Sequence, residues 1–324
     1  MSRTTPPGAP TAFFPVNIGS LRDDLVTGFS LYLPGAGGAP PVLYRDASLP
    51  FSPEARERLV RNAVDELLVP RSERRAWLKY TETILPAYLA DQAVPVRDRA
   101  TLLYESAQTL VQEALSSPDT GALVEMSRHA SGSMAEFLLR EPKALHELMQ
   151  LTSYDYYTYT HSVNVFVYSV SLAGRLGMPA AEMDQFAHGA LLHDIGKRRI
   201  DAGIVNAKGG LTDAQWEQMK QHPTHGYEIL RAHGEASELA LDVTRHHHEK
   251  LNGRGYPDGL AGEEISPWAR ITTIADIFDA LTTKRSYKDA MDTFLALGFM
   301  KDKMWDEIDR DFFRVFVSML ARDS

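Results

Sequence analysis

The chain has 324 residues, 44% of them hydrophobic and 24% charged, with 43 acidic against 34 basic side chains and a formal net charge of −9. That balance is ordinary for a water-soluble globular protein. It argues against long nucleic acid as a partner, which needs a basic footprint, while leaving room for a small anionic ligand held by local cations or a metal. Cysteine is absent, which excludes a disulfide framework and a thiolate metal site. No apolar run approaches the roughly 18 residues of a bilayer span, and Met1–Pro10 lacks an apolar signal-peptide core. A cytoplasmic chain without membrane association is expected.

The length favours two domains. Residues 1–14, rich in Pro, Thr and Gly, are expected to form a disordered tail. From Pro15 short strand-like runs follow: Phe29–Leu33 and Val42–Tyr44 flank a Gly/Pro connection suited to a hairpin. Ser52-Pro53-Glu54 opens a helix, with Ser as N-cap and Pro at the first position. Leu59, Ala63, Val64 and Leu67 recur at helical spacing, and Leu67–Pro70 reads as a returning strand. Residues 15–72 thus make a small α/β regulatory domain with no catalytic constellation. After Pro70 helical periodicity takes over at 76–89, 97–115 and 123–139. Residues 73–125 are expected to be a helical connector and 126–324 an all-helical domain, so the fold class is mainly α.

The helical part concentrates metal-ligand residue types. Of 11 histidines, eight lie between His188 and His248. In Ala190–Lys197 an apolar run ends in His193-Asp194, an ionisable pair that is costly to bury unless paired or bound to metal. His161, His193-Asp194, His222, His247-His248 and Asp276 are separated by 32, 28, 25 and 28 residues, each about one helix plus a connection. Successive helices could each point one or two ligands into a bundle interior. Imidazole and carboxylate suit divalent first-row metals, and a carboxylate such as Asp194 can reach between two of them. Paired ions about 3.5–4 Å apart activate water and clamp an in-line phosphoryl displacement. His188, His225 and His246 lie near these positions but are left, with His129, His146 and His233, as ordinary surface or hydrogen-bonded histidines.

From about residue 150 onward the chain resembles the HD-GYP family of metal-dependent phosphohydrolases. The motifs that carry the resemblance are His161-Ser162, His193-Asp194-Ile195-Gly196-Lys197, Met219–Pro223 around His222, His247-His248-Glu249, Asn252–Leu260 containing Gly255-Tyr256-Pro257, and Ile274–Thr282 around Asp276. The resemblance implies an all-helical HD-type metal-binding bundle and hydrolysis of cyclic di-GMP to linear pGpG, with GMP as a further product in some members. It implies a metal-bridged hydroxide as nucleophile. His161, His193, Asp194, His222, His247, His248 and Asp276 are the implied ligands, with Asp194 bridging. Lys197 is implied to reach the scissile phosphate as a cation, and Arg285 and Lys288 match positions that hold phosphate or guanine.

The glycines of 253–259, Gly255 among them, would let backbone approach a nucleotide, and Tyr256 either offers a stacking face or packs within the loop. Some members hold a third metal through a glutamate one turn before the first histidine. Here that position is Tyr157, so two divalent ions are expected, iron or manganese by preference, with zinc and nickel compatible. Ala207-Lys208 replaces the family's usual Lys-Pro, and Ser286 its usual Pro. Two other readings share these residues: hydrolysis of another cyclic dinucleotide, and a non-catalytic effector that binds cyclic di-GMP or proteins. Diguanylate cyclases are candidate partners for the Gly-Tyr-Pro surface, and the N-terminal or connector region is the candidate dimer surface.

Overall fold

The computed structural model describes residues 12–35, 39–151, 158–207, 209–284 and 290–321. The chain divides into two compact units, Met1–Ile84 and Leu85–Ser324.

In the first unit β1 (Phe13–Asn17), β2 (Leu31–Leu33), β3 (Val42–Arg45) and β4 (Glu66–Pro70) form a sheet of order β1-β4-β2-β3, with α1 (Pro53–Arg61) between β3 and β4. All pairings are antiparallel. The expected hairpin is β2–β3, with an irregularity in register between Leu31 and Tyr32. α1 starts as the sequence dictates: Ser52 caps it by accepting from the Ala55 N–H, and Pro53 opens the first turn. Val16, Leu31, Leu67 and Val69 of the sheet are buried together with Phe29, Phe51, Ala55 and Leu59.

The disordered tail expected for 1–14 ends too late. Phe13 and Phe14 pair with Pro70 and Val69 in β1. Their rings pack on Tyr32 and Trp77 at 5.0 and 6.4 Å between centroids, and ring burial of this kind outweighs the entropy of an ordered terminus. Residues 1–11 lie outside the described residues.

Among the described residues the named elements of the second unit are all helices. The unit boundary falls within α2 (Arg74–Ala90); beyond it run α3 (Val96–Ser116), α4 (Thr120–Arg140), α5 (Pro142–Leu151), α6 (Thr158–Arg175) and α7 (Met183–Leu192). After a 3-10 turn at Ile195–Arg199 come α8 (Ala202–Val205), α9 (Asp213–Met219), α10 (His222–His233), α11 (Glu238–His246), α12 (Pro267–Thr282), α13 (Thr293–Lys303) and α14 (Arg310–Leu320). α6 is the centre: Val163, Val165, Phe166, Val170 and Leu172 are buried on every side, as a helix apolar all round must be. It packs against α3, α7 and α12, and Tyr168 meets Phe278 of α12 and Phe316 of α14 edge-on.

The connector expected at 73–125 is not a separate segment. Leu102, Leu103, Tyr104, Ala107, Leu110, Val111 and Ala114 of α3 are buried, and α3 packs on α4, α5 and α6. An apolar stripe of that width needs a bundle to cover it, so α3 belongs to the bundle. Among the described residues no helix is long and apolar enough to cross a membrane.

Candidate metal centre

The seven expected ligand positions converge. His161 lies in the first turn of α6, His193 caps the C-terminus of α7, Asp194 follows it, His222 opens α10, His247 and His248 follow α11, and Asp276 is in α12. His222, His247 and His248 form one cluster of potential ligand atoms within 4.8 Å of one another, and His161, His193 and Asp276 form another. Asp194 sits between them. Its Oδ1 is 3.2 Å from His222 Nε2, and its Oδ2 is 3.6 Å from His161 Nε2 and 3.5 Å from His193 Nε2. Asp276 faces His161 Nε2 at 2.9 Å through Oδ1 and His248 Nδ1 at 3.5 Å through Oδ2.

The hydrogen bonds around the rings fix their tautomers. His193, His222 and His247 each direct Nδ1 at the backbone carbonyl three residues earlier, those of Ala190, Met219 and Thr244, at 2.9, 2.8 and 2.9 Å. His161 Nδ1 lies 2.7 Å from Asp279 Oδ2. A carbonyl can only accept, so Nδ1 carries the proton and Nε2 of the neutral ring presents a lone pair to the centre. His222 and His247 thus bring two bare nitrogens to 3.3 Å, which is no hydrogen bond. His193 Nε2 and Asp194 Oδ1 are buried without a hydrogen-bond partner. Buried acceptors aimed at one another are costly unless a cation lies among them, and metal-binding histidines characteristically donate their second nitrogen in this way. The donor set therefore fits divalent metal ions.

Electrostatics agree with that fit. Burial pushes His193 and His247 below the usual imidazole range and brings His248 to about 3, which keeps these rings neutral. Burial works in the opposite sense on Asp194 and Asp276. At Asp194 the ammonium of Lys197 outweighs it, and that carboxyl is held well below its ordinary value. The Lys197 ammonium donates to Asp194 Oδ2 at 2.5 Å. Gly196, beside it, packs so closely on α10 that a Cβ there would come within 1.9 Å of the His222 carbonyl oxygen.

The Gly-Tyr-Pro loop is organised by Glu249, which the sequence reading named in a motif but gave no role. Its carboxylate, 1% exposed, accepts from the backbone N–H groups of Asp258, Gly259 and Leu260. The glycine at 255 is required for a different approach than expected: a Cβ would lie 2.4 Å from the Glu249 Cα and 2.5 Å from the Lys250 nitrogen, so the close contact is internal to the protein. Tyr256 stacks on His248, at 4.7 Å between centroids and 28° between planes, and meets Trp216 edge-on at 6.2 Å.

Asp279, Asn164 and Trp216 were also missed. Asp279 had a signal, since it lies three residues after Asp276 on the same helix face; Asn164, three after His161, had a weaker one. His188 is buried and bonded to Ser127, as an ordinary core histidine. Tyr157, Arg285, Ser286, Lys288 and Lys208 lie outside the described residues.

A family model described as an HD domain matches residues 134–312. The chain belongs to the HD-domain family, in its HD-GYP branch. It is 36% identical over 226 residues to a cyclic di-GMP phosphodiesterase of Pseudomonas aeruginosa, covering 68% of this chain and 54% of that protein. It is 40% identical over 157 residues to 3′3′-cGAMP-specific phosphodiesterase 3 of Vibrio cholerae, covering 48% of this chain and 34% of that one. The chain thus spans about half or less of these relatives' length. The solved structure of Bd1817, an HDG"Y"P protein from Bdellovibrio bacteriovorus, superposes with a TM-score of 0.66 over 95% of this chain and 99% of that one, at 19% identity, and so shares the fold.

Proposed function

We propose that this protein is a metal-dependent phosphodiesterase that opens cyclic di-GMP to linear pGpG. One observation carries the reading: two sets of ligand-type side chains, His161–His193–Asp276 and His222–His247–His248, flank the two oxygens of Asp194. In this reading His161, His193, Asp194, His222, His247, His248 and Asp276 would hold two divalent ions; iron and manganese are preferred, and zinc and nickel suit the same donors. When bound, such a pair supplies Lewis acidity to a phosphoryl group and to water.

The remaining work falls to the chain. The carbonyls of Ala190, Met219 and Thr244 and the Asp279 carboxylate keep protons on four Nδ1 atoms, so that Nε2 stays available. Burial of the centre excludes bulk water and strengthens each charge interaction. The Lys197 ammonium, beside Asp194, offsets charge developing on the phosphate oxygens. Tyr256, stacked over His248, offers a face for a base. Hydrolysis adds the oxygen of water to phosphorus, breaks the bond to the 3′ oxygen and returns a proton to that oxygen.

The relatives' names support the reaction type and also favour a second substrate, 3′3′-cGAMP. The test is paired. Metal per chain is measured by elemental analysis, and turnover of cyclic di-GMP and 3′3′-cGAMP is followed with manganese or iron supplied anaerobically. Release of pGpG that Asp194→Ala abolishes is expected. Faster turnover of 3′3′-cGAMP would move the substrate assignment, and stoichiometric metal without turnover of either would overturn the enzymatic reading.

A further inference from the structure

Two contacts tie the centre to α3, a helix that precedes the matched segment 134–312. The first is a chain of hydrogen bonds among buried side chains. Tyr104 OH donates to Asn164 Oδ1 at 3.1 Å, Asn164 Nδ2 donates to Asp279 Oδ1 at 2.8 Å, and Asp279 Oδ2 receives Nδ1–H of His161 at 2.7 Å. The Asn164 amide cannot turn over without setting its oxygen against the acceptor-only Asp279 carboxylate, and the phenol, by donating to that oxygen, holds the amide in place. Tyr104 thereby anchors the amide whose nitrogen is aimed at Asp279.

The second contact is at the C-terminal end of α3. Arg198, the residue after Lys197, donates Nη1 to the Ala114 carbonyl at 2.9 Å and to the Thr120 hydroxyl, and Nη2 to the Ser117 carbonyl at 2.7 Å. The Ala114 carbonyl lacks a helical partner because residue 118 is proline, which has no N–H. A cation there also meets the negative end of the helix. The guanidinium clamps the 3-10 turn Ile195–Arg199, which carries Lys197.

We infer that α3 is a positioning element of this centre, with Tyr104 setting His161 and Arg198 setting Lys197. The inference rests on the reading that these residues serve a bound metal and a phosphate. Residues 104 and 114 are ten apart, about 15 Å along a helix, so one rigid rod supports both contacts. A displacement of α3 misaligns His161 and Lys197 together.

The test uses the full chain with Tyr104→Phe, Arg198→Ala and Arg198→Lys. Thr101→Ala serves as control, because its hydroxyl donates to the Arg97 carbonyl of the same helix. Mn2+ affinity is read by titration calorimetry, kcat and KM with cyclic di-GMP, and stability by thermal melting. Tyr104→Phe is expected to weaken Mn2+ binding about tenfold, the lower end of what outer partners of metal ligands contribute. Arg198→Ala is expected to lower kcat about tenfold at saturating metal with KM little changed, and Arg198→Lys to recover part of that loss. Wild-type metal affinity in Tyr104→Phe with wild-type kcat in Arg198→Ala overturns the inference. So do losses that follow melting temperature alone and appear equally in Thr101→Ala. If the wild type binds Mn2+ but hydrolyses neither dinucleotide, the phosphodiesterase reading fails while the Mn2+ affinity of Tyr104→Phe still decides this one; a wild type that binds no Mn2+ overturns both.

Discussion

Asp279 decides which nitrogen of His161 faces the centre. It accepts from His161 Nδ1, Asn164 Nδ2 and the Thr283 hydroxyl at 2.7, 2.8 and 3.0 Å. Asp279→Asn keeps the shape but can present its amide nitrogen to Nδ1, which removes the reason for the proton to stay there. Metal affinity is expected to fall about 10- to 100-fold, read by calorimetric titration of Mn2+; an unchanged affinity would dismiss the tautomer argument.

His188 gives a separate prediction on stability. Burial, with the nearby Arg128, pushes it down to about 4, against about 6.5 in an unfolded chain. Above pH 6.5 both states are neutral there and the group contributes no slope. Between 6.5 and 4 the unfolded state takes up a proton the folded state refuses, so stability falls as pH falls, by on the order of 3 kcal/mol in all. His188→Leu, followed by urea unfolding across that range, should lose this share of the slope.

At the scale of elements, the loop after α11 is held by one carboxylate and shaped by one glycine. Glu249→Gln removes the charge and replaces one of the two acceptor oxygens with an NH2, which must face at least one of the three N–H groups. Hydrogen exchange at Asp258, Gly259 and Leu260 should accelerate, with a stability loss of about 1.5–3 kcal/mol, the range for hydrogen bonds to a charged group. Protection unchanged at those three amides would show that the loop is held by something else. Gly255→Ala should cost about 1–3 kcal/mol by overpacking, measured by denaturant unfolding, because the new methyl meets backbone that cannot swing aside. The helices themselves were legible, since their apolar spacing repeats locally: 76–89, 97–115 and 123–139 lie within α2, α3 and α4. The role of α3 was not, because a buried stripe looks the same in a connector that packs as in one that does not.

For the whole molecule, metal and stability are linked. If the seven side chains bind their ions only when folded, a free metal concentration 100 times the dissociation constant adds about 2.7 kcal/mol of stability. Thermal melting should therefore rise with added Mn2+ and return on chelation, whereas Asp194→Ala should show little response. A wild-type melting temperature indifferent to both Mn2+ and chelator would count against a metal centre at this position.

What the sequence determined alone is the chemistry and its spacing. His161, His193-Asp194, His222, His247-His248 and Asp276 are readable because residue type and helical period are local properties. Only the tertiary structure decided which nitrogen His161, His193, His222 and His247 present and which carbonyl or carboxylate holds it there. It also decided that Tyr104, Asn164 and Asp279 form a single line of support, across 60 and 115 residues of sequence. Asn164 and Asp279 each stand three residues after a ligand, but their pairing with one another and with Tyr104 leaves no trace along the chain, since it is made by polar atoms brought to about 3 Å by the packing of helices far apart in sequence.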